Sequence, residues 1–253
     1  MFNLIETYLV KWIKDYVKKA KLRSLVVGVS GGVDSAVVSA LCARTNLPVH
    51  CLIMPIEQDP TQTKRGRDHV YALAEKYPNV VLHEVDLTEQ YLSLKNKFAD
   101  ICTRLSLANT KSRLRMVTLY NFATVFEGIV VGTGNKVEDY GIGFFTKYGD
   151  GGVDISPLGN FLKTEVRLLA THLGVNPEIV NAAPTDGLWE GSPTDEQQIG
   201  ATYEELEWAM AHYEDPNPPA EPLSERQKEV LEIYRTFNEK NQHKMVPIPV
   251  FPN

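Results

Sequence analysis

Short apolar runs separated by helical patterns fill the first half of the chain. Apolar and polar residues do not alternate within the runs, which is typical of strands that a parallel sheet buries on both faces. The runs lie at 24–29, 49–54, 80–85 and 128–131. Apolar residues at spacings of three and four predict helices after residue 35 and at 67–77 and 111–126. This order predicts an α/β fold, a doubly wound parallel sheet with helices on both faces.

The remaining segments fit a single domain over residues 1–253. Residues 1–20 predict an N-terminal amphipathic helix, whose apolar residues are expected to pack on the domain. These residues are Leu9, Trp12, Ile13, Tyr16 and Val17. Later segments predict helices at 163–172, at 203–213 and up to about residue 240, a mobile loop at 184–200 and a C-terminal tail at 241–253.

Composition and charge exclude several classes of protein. With 43% hydrophobic and 23% charged residues, the chain is typical of a globular protein and not of a disordered one. Its net charge of -6 offers no general attraction for nucleic acid, which is bound through Lys and Arg. No signal peptide or membrane-spanning stretch is recognised, so the protein is expected in the cytoplasm. Cys42, Cys51 and Cys102 have no metal-binding spacing and are expected to be free, buried thiols.

A glycine-rich loop follows the first predicted strand and leads into a helix. Backbone N–H groups and the positive end of a helix dipole converge at such a junction and favour a bound phosphate. The loop consists of Gly28, Val29, Ser30, Gly31, Gly32, Val33, Asp34 and Ser35. Its glycines allow phosphates to approach the backbone, and its serines can donate hydrogen bonds. Because a carboxylate beside phosphates is repulsive without a metal ion between them, Asp34 is predicted to bind Mg2+.

The loop differs from two common nucleotide-binding motifs. The chain has no Gly-Lys pair, so it has no Walker A motif. Gly132-Thr-Gly-Asn-Lys-Val137 lacks the third glycine of the dinucleotide fingerprint, which disfavours a redox role. The alternative for Gly31-Gly32 is a tight turn without a ligand. The flanking serines, Asp34 and the strand-to-helix context favour a phosphate site.

Two motifs resemble those of a known family. Ser30-Gly-Gly-Val-Asp-Ser35 resembles the SGGxDS signature of the PP-loop, or ATP-pyrophosphatase, superfamily, whose members cleave ATP between the α and β phosphates. The segment from Gly143 to Asp154 is similar to the GFFTKYGDGG segment of NAD synthetases. Further similarities follow in the family's order over roughly residues 5–250. The chain thus resembles the NAD synthetases over nearly its whole length.

The resemblance implies a ligase that amidates deamido-NAD in two steps. The nicotinate carboxylate first attacks the α-phosphorus of ATP and releases pyrophosphate. Ammonia then attacks the acyl adenylate, which gives NAD and AMP. ATP is the co-substrate, Mg2+ is the expected cofactor, and no glutaminase domain is expected, so free ammonia would be the nitrogen donor. The family also implies a homodimer, for which the helices at 1–20 and 111–126 offer apolar faces.

The resemblance also implies roles for individual residues. Gly28 to Ser35 would hold the ATP phosphates, and three further residues would complete the ATP site: Thr133, Lys163 and Thr185. Asp34 and Glu138 would bind Mg2+, and the residues expected to act in catalysis are Asp34, Lys163 and Ser35. Deamido-NAD would contact Arg113, Lys147, Asp154, His243 and Lys244. Cationic side chains suit this substrate because it has a pyrophosphate and a free carboxylate.

The chain departs from the commonest family pattern at three places. At one of them, Gln242 precedes His243 and Met245 follows Lys244, where other members often have Glu and Arg. Gly134-Asn135 follows Thr133 where many members have Asp-His. One additional residue also stands between Glu138 and Gly143. The family pattern therefore fixes the placement of Glu138 less closely.

Two other functions fit the PP-loop signature alone. A tRNA-modifying PP-loop enzyme would have a positive surface, and usually a catalytic cysteine pair or an RNA-binding appendage, which the net charge of -6 opposes. A non-catalytic nucleotide sensor would bind ATP without turnover, whereas Asp34, Glu138 and Lys163 are all retained. Small molecules are therefore the expected partners, with no role for nucleic acid or a membrane.

Overall fold

A computed structural model describes residues 2–185, 187–188, 193–218 and 222–252. Within these ranges, four parallel strands form one sheet. They are β1 (Ser24–Gly28), β2 (Val49–Ile53), β3 (Val80–Glu84) and β4 (Gly128–Val130), in the spatial order β3-β2-β1-β4. Because the chain order reverses between β1 and β4, the carboxyl ends of these two strands form the switch point of a doubly wound sheet.

Helices connect the strands and cover the sheet. They are α1 (Phe2–Lys19), α2 (Val33–Ala43), α3 (Pro60–Lys76), α4 (Thr88–Lys97), α5 (Arg104–Val125), α6 (Lys163–Leu173), α7 (Pro177–Val180), α8 (Asp195–Ile199), α9 (Tyr203–Glu214) and α10 (Glu225–Met245). A π-helical turn, Lys136–Ile142, stands between β4 and α6. Among the described residues, no helix has the length and apolarity that crossing a membrane requires.

Both faces of the sheet are covered, which confirms the predicted fold class. Leu25 and Val27 of β1 pack in the cluster that includes residues of α1, α2, α3 and α6. Val26, between them, packs on the opposite side with residues of α4 and α5. All three side chains are fully buried. Successive strand residues point to opposite faces, so a strand covered on both faces is apolar at every position.

Helix α1 packs on the sheet through fewer residues than predicted. Ile13 and Val17 are buried, and Leu9 is partly buried against the same cluster. The expectation that Trp12 and Tyr16 also pack on the domain is wrong, because they remain 45% and 39% exposed. Helix positions four apart lie on one face, so residues 9, 13 and 17 form the buried stripe and residues 12 and 16 lie beside it.

Several helix boundaries differ from the predicted ones. Helix α3 begins at Pro60 and not near residue 67, because Asp59 caps it by accepting a hydrogen bond from the N–H of Thr61. Proline suits the first turn, where its missing N–H costs no hydrogen bond. Helix α5 likewise begins at Arg104, before the predicted residue 111, and α4 was not predicted at all.

The C-terminal part forms a smaller layer on the π turn. A second apolar cluster joins the π turn to α9 and α10 through Val137, Ile142, Leu206, Met210 and Tyr234. Helix α10 continues to Met245, so residues 243 and 244 lie in its last turn and not in an extended tail. Of the predicted loop at 184–200, residues 195–199 form α8, and residues 186 and 189–192 lie outside the described part.

Candidate active site

The loop at 28–35 joins β1 to α2 at the switch point of the sheet. Gly31 has a φ of +89°, which side chains other than glycine rarely adopt. A Cβ at this position would also overlap the backbone oxygen of Gln62 in α3. Glycine at position 31 is therefore needed both for the turn and for the contact with α3.

Serine hydroxyls hold this loop from the inside. The backbone N–H of Ser30 donates to the hydroxyl of Ser35, and that of Gly32 donates to the hydroxyl of Ser30, each over 3.2 Å. The Ser35 hydroxyl donates in turn to the carbonyl oxygen of Gly32 over 3.0 Å. Ser35 is 2% exposed, and its hydroxyl stabilises the loop conformation through these hydrogen bonds. Its action on ATP stays a prediction.

The first turn of α2 opens onto the same loop. Its N-cap residue is Gly32, and no side chain makes a capping hydrogen bond there. The first N–H groups of a helix have no partner within the helix. A phosphate in the loop would accept hydrogen bonds from such groups and would face the positive end of the helix dipole.

Two carboxylates and a lysine meet beside the loop. Lys163, the first residue of α6, has its Nζ 2.5 Å from Oδ2 of Asp34 and 3.0 Å from Oε1 of Glu138. The lysine side chain is 3% exposed and each carboxylate side chain is 16% exposed. Three residues predicted for the site, from α2, the π turn and α6, are thus in direct contact.

Burial and charge shift the pKa values in this group. Burial lowers the pKa of Lys163, but the carboxylates of Asp34 and Glu138 outweigh burial and raise it above its ordinary value. Burial raises the pKa of Glu138, but the charge of Lys163 and the hydrogen bond from Tyr203 outweigh burial and bring the pKa below its ordinary value. Burial raises the pKa of Asp34, against the opposing charge of Lys163. Lys163 is therefore held as a cation at neutral pH.

Two residues that the sequence analysis did not assign hold the carboxylates in place. Asn135 donates from Nδ2 to Oδ1 of Asp34 over 3.3 Å, and its own Oδ1 accepts the N–H of Glu138 over 3.2 Å. Tyr203 of α9 donates its hydroxyl proton to Oε1 of Glu138 over 2.5 Å. Asn135 and Tyr203 are both fully buried. The orientation of both carboxylates is thus set by neutral neighbours as well as by Lys163.

The π turn at Lys136–Ile142 carries Glu138 and the residue that follows it. A π turn closes its hydrogen bond one residue later than an α-helical turn and therefore holds one more residue. Both Glu138 and Asp139 belong to it. The carboxylate of Asp139 lies against Gly134, where a Cβ would overlap its oxygens. Burial raises the pKa of Asp139 well above its ordinary value, and the charge of Glu138 acts in the same direction.

Asp34 and Glu138 fit the predicted Mg2+ site. Mg2+ is usually held by one or two carboxylates together with substrate phosphates and water. Among the described residues, no group of three or more His, Cys, Asp and Glu side chains surrounds a metal position. The two oriented carboxylates, that of Asp34 in the loop at 28–35 (the phosphate loop) and that of Glu138 in the π turn, therefore suit a cation that is bound together with ATP.

Of the two threonines predicted for the ATP site, Thr133 lies in the loop that leads to Asn135, and Thr185 lies in the segment that precedes α8. Thr133 follows β4, the neighbour of β1, and stands two positions before Asn135. The Thr185 hydroxyl donates to the carbonyl of Pro193 and accepts the N–H of Gly187, each over 3.3 Å. The hydroxyl of Thr185 therefore shapes the loop in which it lies, and no hydrogen bond joins it to the phosphate loop in the part that the structure describes.

Four of the five residues predicted for deamido-NAD form a second group. The guanidinium of Arg113 donates to the carbonyl of Lys147 over 3.3 Å, and Nζ of Lys147 donates to the carbonyl of His243 over 2.6 Å. Lys244 donates to two carbonyl oxygens of segment 143–147 over 2.5 and 2.8 Å. Burial lowers the pKa of Lys244. These contacts fasten the last turn of α10 to the segment with the GFFTKYGDGG motif.

Asp154, the fifth residue, has other partners. Its carboxylate accepts the backbone N–H of Val130 over 2.7 Å and the hydroxyl of Tyr120 over 3.1 Å. Burial raises the pKa of Tyr120 to about 12, and the charge of Asp154 adds to this shift. Asp154 is thus fixed at the carboxyl end of β4, which borders the switch point.

Comparisons with known proteins agree with this geometry. The family model described as NAD synthase matches residues 5–247. A protein of Carboxydothermus hydrogenoformans named NH(3)-dependent NAD(+) synthetase is 39% identical over 242 residues, which are 93% of this chain and 92% of that protein. The structure of an NMN synthetase from Francisella tularensis has a TM-score of 0.86 and 31% identity, covering 100% of this chain and 99% of the other. An NH3-dependent NAD synthetase of Campylobacter jejuni shares the fold over the same proportions, with a TM-score of 0.74 and 23% identity.

Proposed function

The chain belongs to the NAD synthase family, and from this membership we propose that it is an ammonia-dependent NAD+ synthetase. It forms the amide of NAD from deamido-NAD and ammonia while ATP is cleaved to AMP and pyrophosphate. The observation that carries the proposal is the contact of Lys163 with Asp34 and Glu138 beside the phosphate loop. Neither a tRNA-modifying enzyme nor a nucleotide sensor finds support among the relatives.

The first step transfers the adenylyl group of ATP to the substrate. The nicotinate carboxylate attacks the α-phosphorus, and the bond between this phosphorus and the oxygen that leads to the β-phosphate breaks. The loop at 28–35 holds the phosphates in line for the attack. Lys163 opposes the charge that develops on the departing pyrophosphate, and its burial makes this stabilisation stronger than it would be in water.

The second step forms the amide. Ammonia attacks the carbonyl carbon of the acyl adenylate, AMP leaves with the electron pair of the C–O bond, and the nitrogen loses a proton. No side chain forms a covalent bond with the substrate in either step. The protein therefore accelerates the reaction by alignment and by opposing charge.

We infer that Asp34 and Glu138 hold Mg2+ together with ATP. The bound ion would neutralise charge on the phosphates and orient them for displacement. Support comes from the two oriented carboxylates and from the position of Asp34 inside the phosphate loop, where its charge would otherwise repel ATP. Lys163 balances part of this charge through its two ion pairs.

The second group of residues is the proposed site of deamido-NAD. The cationic side chains of Arg113, Lys147 and Lys244 meet at segment 143–147, where His243 contributes its backbone carbonyl. Asp154 completes the predicted set. Arg113 is exposed, and its two hydrogen bonds to a carbonyl are long, at 3.3 Å. A phosphate or carboxylate of the substrate could replace that carbonyl as a stronger, charge-assisted partner.

An assay of purified protein tests the reaction and the role of Asp34. With ATP, Mg2+, deamido-NAD and ammonium, NAD and AMP are expected in equal amounts, and none when glutamine replaces ammonium. Asp34→Asn is expected to lower both products by at least about a hundredfold, the scale of losing one group that stabilises charge in the transition state. Asp15→Asn, at an exposed aspartate of α1, is the matched control and should keep full turnover. Folded Asp34→Asn protein with wild-type turnover would contradict the assignment.

A second candidate substrate is the acid mononucleotide, nicotinate mononucleotide. The likeness to an NMN synthetase, with a TM-score of 0.86 over the whole chain, favours it, whereas the NAD synthetase of C. jejuni has a TM-score of 0.74. The reacting carboxylate is the same in both substrates, so the same two steps apply. Parallel measurements of kcat/KM with the mononucleotide and with deamido-NAD decide between them. A higher kcat/KM for the mononucleotide would replace the proposed substrate and keep the proposed chemistry.

We also infer a homodimer in the cytoplasm. Leu4, Tyr8, Trp12 and Tyr16 are 39–63% exposed, and their spacing of four places them in one stripe along α1. Such a stripe is typical of a surface that another chain covers. The free thiols of Cys42, Cys51 and Cys102 suit a reducing compartment. Light scattering is expected to give twice the chain mass for the wild type and the single mass for Trp12→Glu, and a monomeric wild type would contradict the dimer.

A further inference from the structure

The hydroxyl of Tyr203 connects two carboxylates from different parts of the chain. It lies 2.5 Å from Oε1 of Glu138 and 3.2 Å from Oδ2 of Asp195. The tyrosine is fully buried, and Nζ of Lys163 lies 4.9 Å from the centre of its ring. The oxygen of Glu138 that accepts from Tyr203 also accepts from Lys163. Tyr203 therefore contacts both Glu138 and Lys163 at the proposed cation site, although it lies outside the loop at 28–35.

Asp195 is the first residue of α8 and lies against Pro184. Its backbone N–H donates to the carbonyl of Pro184 over 3.0 Å, which joins residue 184 to the start of α8. The Asp195 side chain is buried, with 6% of the residue exposed. A second contact ties α8 to the same tyrosine, because the carboxylate of Glu196 accepts the backbone N–H of Tyr203 over 3.1 Å. Contacts with α8 and with Glu138 thus both fix the position of Tyr203.

A phenol has one proton and can donate it to one acceptor at a time. In the structure the shorter contact, at 2.5 Å, is the one to Glu138. A hydrogen bond from a buried neighbour fixes the rotamer of a metal-binding carboxylate, and loss of such a partner typically weakens metal binding about 10–100-fold. Lys163 donates to the same oxygen from α6, and Asn135 accepts the backbone N–H of Glu138, so neither residue replaces the neutral hydroxyl donor from α9.

We propose that Tyr203 is a positioning residue, whose hydroxyl orients Glu138 for the divalent cation and links that carboxylate to Asp195 at the base of the 184–195 loop. The inference rests on the proposed function, because it takes Glu138 as a ligand of the cation. It adds a residue from α9 that does not touch the reacting atoms. It also makes the cation site sensitive to the segment that begins at Pro184.

Direct cation binding tests the role of Tyr203. Mn2+ binding is measured by electron paramagnetic resonance with an ATP analogue whose α–β bridge is a methylene group. Tyr203→Phe, which removes one oxygen atom, is expected to weaken Mn2+ binding about tenfold. In the activity assay the Mg2+ concentration for half-maximal rate should rise by a similar factor, with the KM for deamido-NAD unchanged. Tyr234→Phe is the matched control, because Tyr234 is also fully buried and does not contact Glu138.

Asp195→Asn tests the link to the loop. It is expected to change Mn2+ affinity at least threefold in the wild-type background and by a clearly smaller factor beside Tyr203→Phe, where only the charge of Asp195 acting on Lys163 is left. Wild-type Mn2+ affinity in Tyr203→Phe, or equal effects of Asp195→Asn in both backgrounds, would overturn the inference. If Tyr203→Phe fails to fold, Asp195→Asn alone decides, since unchanged affinity overturns the link. A wild type that binds Mn2+ but makes no amide product would refute the proposed function and leave this test valid.

Discussion

Lys163→Met removes the ammonium that faces Asp34 and Glu138 and keeps most of the length and apolar contacts of the side chain. The lysine side chain is 3% exposed, and its Nζ contacts one carboxylate at 2.5 Å and the other at 3.0 Å. Breaking a buried ion pair by removing one partner costs about 3–5 kcal/mol, because the remaining charge stays buried without compensation. We expect the free energy of unfolding to fall by this amount when metal ions are absent.

Urea unfolding followed by tryptophan fluorescence measures this loss. A stability of about 5–15 kcal/mol is usual for a domain, so the variant should still fold at 25 °C. At about 2–4 °C per kcal/mol for a chain of this size, the Tm should fall by about 10 °C. Activity should fall about 100–1,000-fold, since a charge that stabilises the transition state is lost.

Added Mg2+ separates this explanation from simple loss of packing. A cation between the two carboxylates replaces the missing ammonium, so Mg2+ should stabilise Lys163→Met more than the wild type. With a Kd of about 1 mM, about 10 mM Mg2+ returns about 1.4 kcal/mol. The double variant with Asp34→Asn should be more stable than Lys163→Met alone, because one uncompensated charge is gone. A loss below about 1 kcal/mol, or equal stabilisation of variant and wild type by Mg2+, would refute the reasoning.

Two further predictions concern packing and pH. Gly134→Ala places a methyl group against the Asp139 carboxylate, and thermal unfolding should show a loss of about 1–3 kcal/mol in stability. The double variant with Asp139→Ala should recover this stability. Equal stability of Gly134→Ala and wild type would contradict the contact. His69 is buried beside Ser39, and burial lowers its pKa from 6.5 to about 4. The unfolded chain therefore takes up a proton first as the pH falls, so the stability contributed by neutral His69 is complete above about pH 6.5 and is lost towards pH 4. Urea unfolding should show that the contribution of His69 to the free energy of unfolding falls by about 3 kcal/mol between pH 7 and pH 4. His69→Gln should lack this pH-dependent loss. The same pH dependence in variant and wild type would contradict the prediction.

The parallel sheet was predictable because β1 and β2 are apolar at nearly every position, apart from Ser24 and His50. Residues 24–29 and 49–54 stand out in the sequence since both of their faces must be covered, and the switch point between β1 and β4 follows from the order of strands. Helix surfaces were harder to predict. Trp12 and Tyr16 have the same spacing as buried residues, and only the three-dimensional packing shows that they lie beside the buried stripe.

The site was predictable to the extent that its residues carry charge in recognisable motifs. Asp34 and Lys163 are 129 positions apart, and resemblance to a family was needed to join them. Asn135 had one signal, the departure from the family pattern beside Gly134. Tyr203 had none, because a tyrosine that begins an amphipathic helix has the same pattern as a core residue. Its role depends on the direction of one hydroxyl, which no periodicity encodes.

The contact of Gly134 with Asp139 also constrains how this chain can change over time. A side chain at position 134 and the carboxylate of Asp139, which the π turn carries, exclude each other. A lineage that gained the carboxylate at position 139 before the glycine would have had two groups in one place. The glycine should therefore precede or accompany that carboxylate in every descendant lineage. In an alignment of relatives, the two features should be inherited as a pair, although their side chains belong to separate turns of the backbone.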